Sequence, residues 1–213
     1  MSIAARLRPT QRAMIAVLAI AVVLASIHTP YPAVAPLHHI PTVLLVAAAP
    51  WLLRRWPISD AAVACILAFF LLHTLGGRYT YSSVPYDEWA RALAGHDLSS
   101  LFGWKRNHYD RLVHLAFGLL AIRPVAESLA RHAGFTTRGA AIAAIAFVLA
   151  VSALYEVFEW LLAVVAAGDM ADEYNGQQGD MWDAQKDMAL ARAGALAAAF
   201  LPNKSVTGTT PPL

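Results

Sequence analysis

The sequence is poor in charge and nearly without cysteine. Only 14% of its 213 residues are Asp, Glu, Lys or Arg, against about 25% in an ordinary soluble domain. So few charges cannot coat the surface of a soluble protein of this size. The single cysteine, Cys65, lies in an apolar run; it excludes an internal disulfide and says nothing about redox compartment. The formal net charge is only +2, so no nucleic-acid partner is expected. No GxSxG, Walker loop, GxGxxG or HExxH occurs. Those absences remove the usual signatures of a serine hydrolase, a nucleotide binder and a zinc protease. No metal and no particular cofactor is assigned.

What is present is apolar. The hydrophobic fraction is 58% and the mean hydropathy is +0.51. Six apolar runs stand out, at 13–27, 40–53, 61–75, 109–130, 140–165 and 183–201. A membrane span needs about 20 mostly apolar residues. Several runs are nearer 15, but six of them in one small chain argue for membrane spans over buried helices of a soluble bundle. Long runs without period-2 alternation argue for helices over barrel strands. The expected fold is therefore all-α, a single polytopic bundle of about six transmembrane helices. Arg6, Arg8 and Arg12 precede the first run, and Ala33-Val34-Ala35 resembles a cleavage site. That site lies well past the run, beyond Pro30 and Pro32, so the first run is read as a retained anchor.

Lys and Arg set the orientation. Arg6, Arg8 and Arg12, then Arg54 and Arg55, then Arg131 and Arg138, and finally Lys204 all fall on one side of a six-span chain. That side is read as cytoplasmic, with both termini inside. The connection with Arg78, Arg91, Lys105 and Arg106 is the exception. Of the 14 acidic residues, only Asp60 and Glu127 belong to the inner half.

Several ionisable groups fall inside spans, at a cost of at least about 2.5–3.5 kcal/mol each on insertion scales. Asp110 and His114 in RNHYDRLVH are four apart and share a helix face, which Gly118 continues and where a close neighbour would fit. Glu156 and Glu159 in YEVFEW are three apart, on one face. Asp180, Asp183 and Asp187 in GDMWDAQKDM share another, and His73 ends the third run. These groups lie late in runs three and five and early in runs four and six. Alternating helices would thus bring them to one depth, near the outer surface.

The expected catalytic set is Asp110, His114, Glu156, Glu159, Asp183 and Asp187, with a carboxylate as acid or base and His114 oriented by Asp110. The expected binding set is Arg106, Asn107, His108, Tyr109, Arg111, Gln185, Tyr79 and Tyr81, with Arg106 and Arg111 as anion grip. Arg123 and Glu127, four apart, are expected to pair towards the cytoplasm.

Four segments carry a family likeness. GGRYTYSSVP (76–85), RNHYDRLVH (106–114), YEVFEW (155–160) and GDMWDAQKDM (179–188) resemble, in that order, the YjdF-like family of bacterial inner-membrane proteins. The resemblance implies a multi-pass inner-membrane protein and brings no reaction with it. More distantly, Asp110, Arg111 and His114, then Glu156 and Glu159, then Asp183 and Asp187 are similar to motifs of the VanZ-like proteins, a group associated with lipoglycopeptide resistance.

The expected function is an outward-facing polar site that binds or processes a lipid or isoprenoid-phosphate head group. One alternative is a proton- or ion-coupled transporter, and another a structural or chaperoning subunit. The bilayer is the expected partner; no protein partner is readable.

Overall fold

A computed structural model of the protein describes residues 6–165 and 177–200. Most of the connection between the fifth and sixth runs, with Lys204 and Leu201, lies outside the described residues. Eight helices and no strands occur among the described residues.

Each of the six apolar runs forms a helix. They are α1 (Pro9–Ser26), α2 (Ala35–Arg55), α3 (Asp60–Arg78), α6 (Tyr109–His132), α7 (Thr137–Val165) and α8 (Asp183–Phe200). Two short helices, α4 (Tyr86–Ala94) and α5 (Leu98–Phe102), fill the long connection between α3 and α6. The helices overrun the apolar runs because polar residues start and stop them. Ser59 accepts a hydrogen bond from the Ala62 amide and so caps α3. Pro9 opens α1, where its missing amide hydrogen costs nothing.

Five of these helices, α1, α2, α3, α6 and α7, are long and apolar enough to cross a membrane. The sixth expected span, α8, is not among them. It carries Asp183, Lys186, Asp187 and Arg192 within 18 residues, which lowers its hydropathy. It nevertheless packs along one face, chiefly against α6 and then α7.

The helices pack on small residues. Ala140, Ala144 and Val148 of α7, Ile122 and Ala126 of α6, and Ala191 and Ala195 of α8 form one buried cluster. Without a hydrophobic drive in lipid, such close backbone approach supplies the association energy through dispersion. The closest approach is between α6 and α8. A Cβ placed on Gly118 would lie 2.0 Å from the Ala191 carbonyl oxygen, and one on Gly194 2.3 Å from that of Leu115. The close neighbour expected at Gly118 is therefore α8.

The basic segments meet at one end of the bundle. Arg8 pairs with Asp60 at 2.9 Å and donates to the Ile58 carbonyl. Gln11 donates to the same carbonyl at 3.0 Å. Glu127 accepts from the amide and hydroxyl of Ser59, each at 2.6 Å, and pairs with Arg131 at 3.0 Å. Glu127 thus ties the end of α6 to the start of α3.

The opposite end holds the exceptional basic residues, and three of them are locally neutralised. Arg78 donates to the carbonyls of Ala25 and Ile27 at 2.9 and 2.8 Å, closing the C-terminus of α1. Arg91 pairs with Asp97 at 3.0 Å. Arg106 pairs with Asp183.

Candidate functional site

The polar end of α6 is assembled by the α6–α8 crossing. Asp110 and His114 lie two turns and one turn before Gly118, while Asp183 and Asp187 lie on the N-terminal turns of α8 before Gly194. Glu156 reaches them from α7. All four side chains of the first two helices are buried: Asp110 and His114 are each 7% exposed, Asp183 4% and Asp187 2%.

His114 is the hub. Its Nε2 lies 3.6 Å from Asp110 Oδ1 and 3.5 Å from Glu156 Oε1. Those separations are ion-pair contacts, too long for good hydrogen bonds. Ligand atoms of Asp110, His114 and Asp187 all lie within 4.8 Å of one another, so this trio could hold a metal ion. Asp187 Oδ1 and Glu156 Oε1 are buried and make no hydrogen bond. Glu159 lies one turn beyond Tyr155, which hydrogen-bonds it, and within electrostatic reach of Asp110 and Glu156.

Beside this cluster is a charge clamp. Arg106 and Arg111 both pair with Asp183 and with Asp180, and Lys186 joins Asp180 at 2.6 Å. Lys186 first, then the Trp182 amide and Arg111, hold the Asp180 carboxyl well below the usual carboxylate range. The two arginines expected to grip an anion are thus engaged by α8 carboxylates. Asp183 belongs to this clamp rather than to the His114 cluster.

The remaining expected binding residues separate. Asn107 is structural: its side chain donates to the Val84 carbonyl at 2.8 Å and accepts from the Tyr109 amide at 3.0 Å. The Tyr109 hydroxyl donates to the Leu72 carbonyl at 3.0 Å. His108 stacks on Trp104 with ring centroids 4.5 Å apart. Burial, then Arg111 and Arg106, push its pKa below the ordinary imidazole value. Tyr79 packs edge-on against Trp89, under Arg78, and Gln185 is exposed.

Tyr81 does reach the site, through a tight turn. Thr80 and Tyr81 both have positive φ, +51° and +57°, a conformation that costs a non-glycine residue about 1–2 kcal/mol. Gly76 leaves room for the ring; a Cβ there would lie 2.6 Å from Tyr81 Cε1. The Tyr81 hydroxyl then hydrogen-bonds His73 Nδ1, while His73 Nε2 contacts the His38 carbonyl at 2.8 Å. A carbonyl can only accept, so Nε2 carries the proton and Nδ1 accepts from Tyr81. His38 and His39 are buried in α2.

Both clusters open on one cavity of about 750 Å³. Its polar rim is His73, Tyr81, Asp110, His114 and Tyr155; below that it is lined by Phe69, Phe117, Leu120, Ala121, Val125, Phe147 and similar side chains. It follows α6 from Asp110 to Leu129, about 28 Å at 1.5 Å per residue. That is nearly the thickness of a bilayer's hydrocarbon core, about 30 Å. Helices α3 and α7 flank it without touching each other, so the cavity is a groove on α6.

A bundle of membrane-length apolar helices with ionisable groups gathered at one end is a polytopic integral-membrane protein. Residues 10–205 match the family described as "Predicted membrane protein (DUF2238)", and the chain belongs to that family. It is 37% identical over 146 residues to "Inner membrane protein YjdF" of Escherichia coli (strain K12). The match covers 67% of this chain and 65% of the relative's own length, so just under two thirds of that protein is represented. No solved structure matches the chain. The YjdF-like likeness of the four motifs stands, and the chain is a multi-pass protein of the inner membrane.

Proposed function

We propose that the chain binds, and through its acidic residues processes, the polar head group of a long-chain lipid. The carrying observation is the groove: a bilayer-deep apolar channel on α6 that ends at Asp110 and His114. An amphiphile fits that polarity, with its chain along Phe117, Ala121 and Val125 and its head at the buried cluster. In this reading α8 crosses the membrane with the other five, both termini are cytoplasmic, and the head group is drawn from the outer leaflet. His114 exchanges protons with Asp110 or Glu156. The arginines act indirectly, by locking α8 onto α6.

The groove bears on the transporter alternative as well. A carrier needs a polar path through both halves of the membrane. Between His114 and Ser128, the α6 lining is Phe117, Leu120, Ala121, Pro124 and Val125, which offers an ion nothing.

The test is the lipid content of the protein purified in mild detergent, measured by mass spectrometry. One lipid class should be enriched over the bulk membrane. Ala121→Phe, which fills the groove, should abolish that enrichment, and Asp110→Asn should weaken it. Bulk composition in all three proteins would refute the proposal. Impermeant thiol labelling of single cysteines at His73, His114 and Asp187, in a Cys65→Ala background, tests the orientation; labelling from the cytoplasmic side alone would overturn it.

A further inference from the structure

The buried cluster is rich in carboxyl groups. Asp110, Glu156 and Asp187 lie around one imidazole, with Glu159 in reach. The nearby cations Arg106, Arg111 and Lys186 form ion pairs with Asp180 and Asp183. A buried carboxylate without a partner costs several kcal/mol unless something else neutralises it.

The geometry matches a particular neutraliser. On a tetrahedral shell with bonds of about 2.1 Å, neighbouring ligand atoms lie about 3.4 Å apart. His114 Nε2 lies 3.5 Å from Glu156 Oε1 and 3.6 Å from Asp110 Oδ1. The ligand atoms of Asp110, His114 and Asp187 lie within 4.8 Å of one another. Independently, Asp187 is 2% exposed, and its Oδ1 has no hydrogen-bond partner. The same holds for Oε1 of Glu156, whose side chain is 9% exposed. Two buried carboxylate oxygens without hydrogen bonds thus lie beside one imidazole, an arrangement a bound ion would satisfy.

We infer that Asp110, His114 and Asp187, with Glu156 as fourth ligand, bind one divalent transition-metal ion. The ligand chemistry selects the ion: imidazole disfavours Ca²⁺ and Mg²⁺, and the absence of thiolate disfavours Cu⁺. A mixed imidazole–carboxylate set suits a borderline divalent ion, for which Zn²⁺ and Mn²⁺ serve as probes. Sequence spacing does not reveal the site because its ligands come from three helices, and only Asp110 and His114 share one. Once loaded, a cluster of carboxylates becomes a place that accepts an anionic oxygen, such as that of a phosphate. The inference uses the cluster of the proposed lipid site but does not depend on what that site binds.

The test starts with the full chain in detergent, stripped with chelator and dialysed against Zn²⁺ or Mn²⁺. Metal per chain is then read by elemental analysis. About one ion per chain should be retained, and the melting temperature should rise with added metal. Asp187→Asn and His114→Gln should each weaken binding by more than the roughly 10–100-fold that losing an outer-shell partner costs. Glu127→Gln, at the basic end, should bind as wild type does. Asp187→Asn is nearly isosteric, and a monodisperse elution profile shows that it has folded. No retained ion in the wild-type chain, or wild-type binding by folded Asp187→Asn, overturns the inference. Lipid enrichment measured on the same metal-free preparation separates the two readings. Enriched lipid with no metal binding leaves the groove proposal standing alone, and metal binding with bulk lipid does the reverse.

Discussion

The α6–α8 crossing makes a quantitative demand that one methyl group can test. In Gly118→Ala the new Cβ would lie 2.0 Å from the Ala191 oxygen, 2.8 Å from the Ala195 nitrogen and 2.9 Å from the Ala191 carbon. All three are backbone atoms, so no side-chain rotation relieves the clash. Ordinary contact begins at 3.4 Å, so α8 must retreat by about 1.4 Å. Overpacking of this kind costs about 1–3 kcal/mol. The functional loss should be larger in proportion. His114 is one turn from Gly118, and its cluster depends on Asp187 of α8, where about 0.5 Å of error already matters. A misplacement of about 1 Å can cost about 100-fold in activity. Thermal unfolding in micelles, with lipid and metal retention, provides the assay. Gly194→Ala should behave alike, since its Cβ meets the Leu115 oxygen at 2.3 Å. The double variant should cost clearly less than the two singles added, because one retreat relieves both clashes. Gly139→Ala is the control; its Cβ meets only the Thr136 hydroxyl, at 3.1 Å, and a phenyl carbon at 3.6 Å. Wild-type stability and ligand retention in Gly118→Ala, or full additivity with Gly194→Ala, would refute the crossing as described.

Two further outcomes follow from the clamp beside the cluster. Asp183→Asn leaves the guanidiniums of Arg106 and Arg111, only 10% and 17% exposed, without their shared carboxylate. Breaking a buried pair costs about 3–5 kcal/mol, and Asp180 should hold the loss to about 3 kcal/mol; Lys186→Ala, at a largely exposed amine, should change stability by under about 1 kcal/mol. Denaturant unfolding in mixed micelles compares the two, and equal effects would refute the distinction. His108 has its folded pKa below the ordinary imidazole value of 6.5, so the unfolded chain binds the extra proton first. Its contribution to stability is therefore present above about 6.5 and lost as pH falls through 6.5 towards the folded value. His108→Phe, which keeps the stack on Trp104, should flatten that part of a melting-temperature profile between pH 7 and 5; an unchanged profile would refute the assignment.

Much of the scaffold was legible because membrane physics writes it in one dimension. Apolar length marks a span regardless of its neighbours, and all six runs recurred as helices. The run at 183–201 shows the limit of that rule. It was read as a sixth apolar run, and its charges leave α8 less apolar than the other five. His114, Asp110, Asp187 and Glu156 lie together at one end of the bundle, as position along alternating helices would place them. What one dimension lacks is azimuth. Arg106 and Arg111 precede and enter α6 next to Asp110, yet they turn to Asp180 and Asp183. Nothing in RNHYDRLVH says which neighbour a guanidinium will find. Tyr81 depends on a left-handed turn and on the space above Gly76, and no periodicity carries either. Gly118 and Gly194 connect the two kinds of information. Gly118 was visible as a small residue on a polar face, but only its contact with the helix of Gly194 sets how closely two acidic helices approach. The same two glycines therefore fix the separation of His114 from Asp187. Any chemistry at this site depends on a backbone contact one to two turns away from the reacting groups.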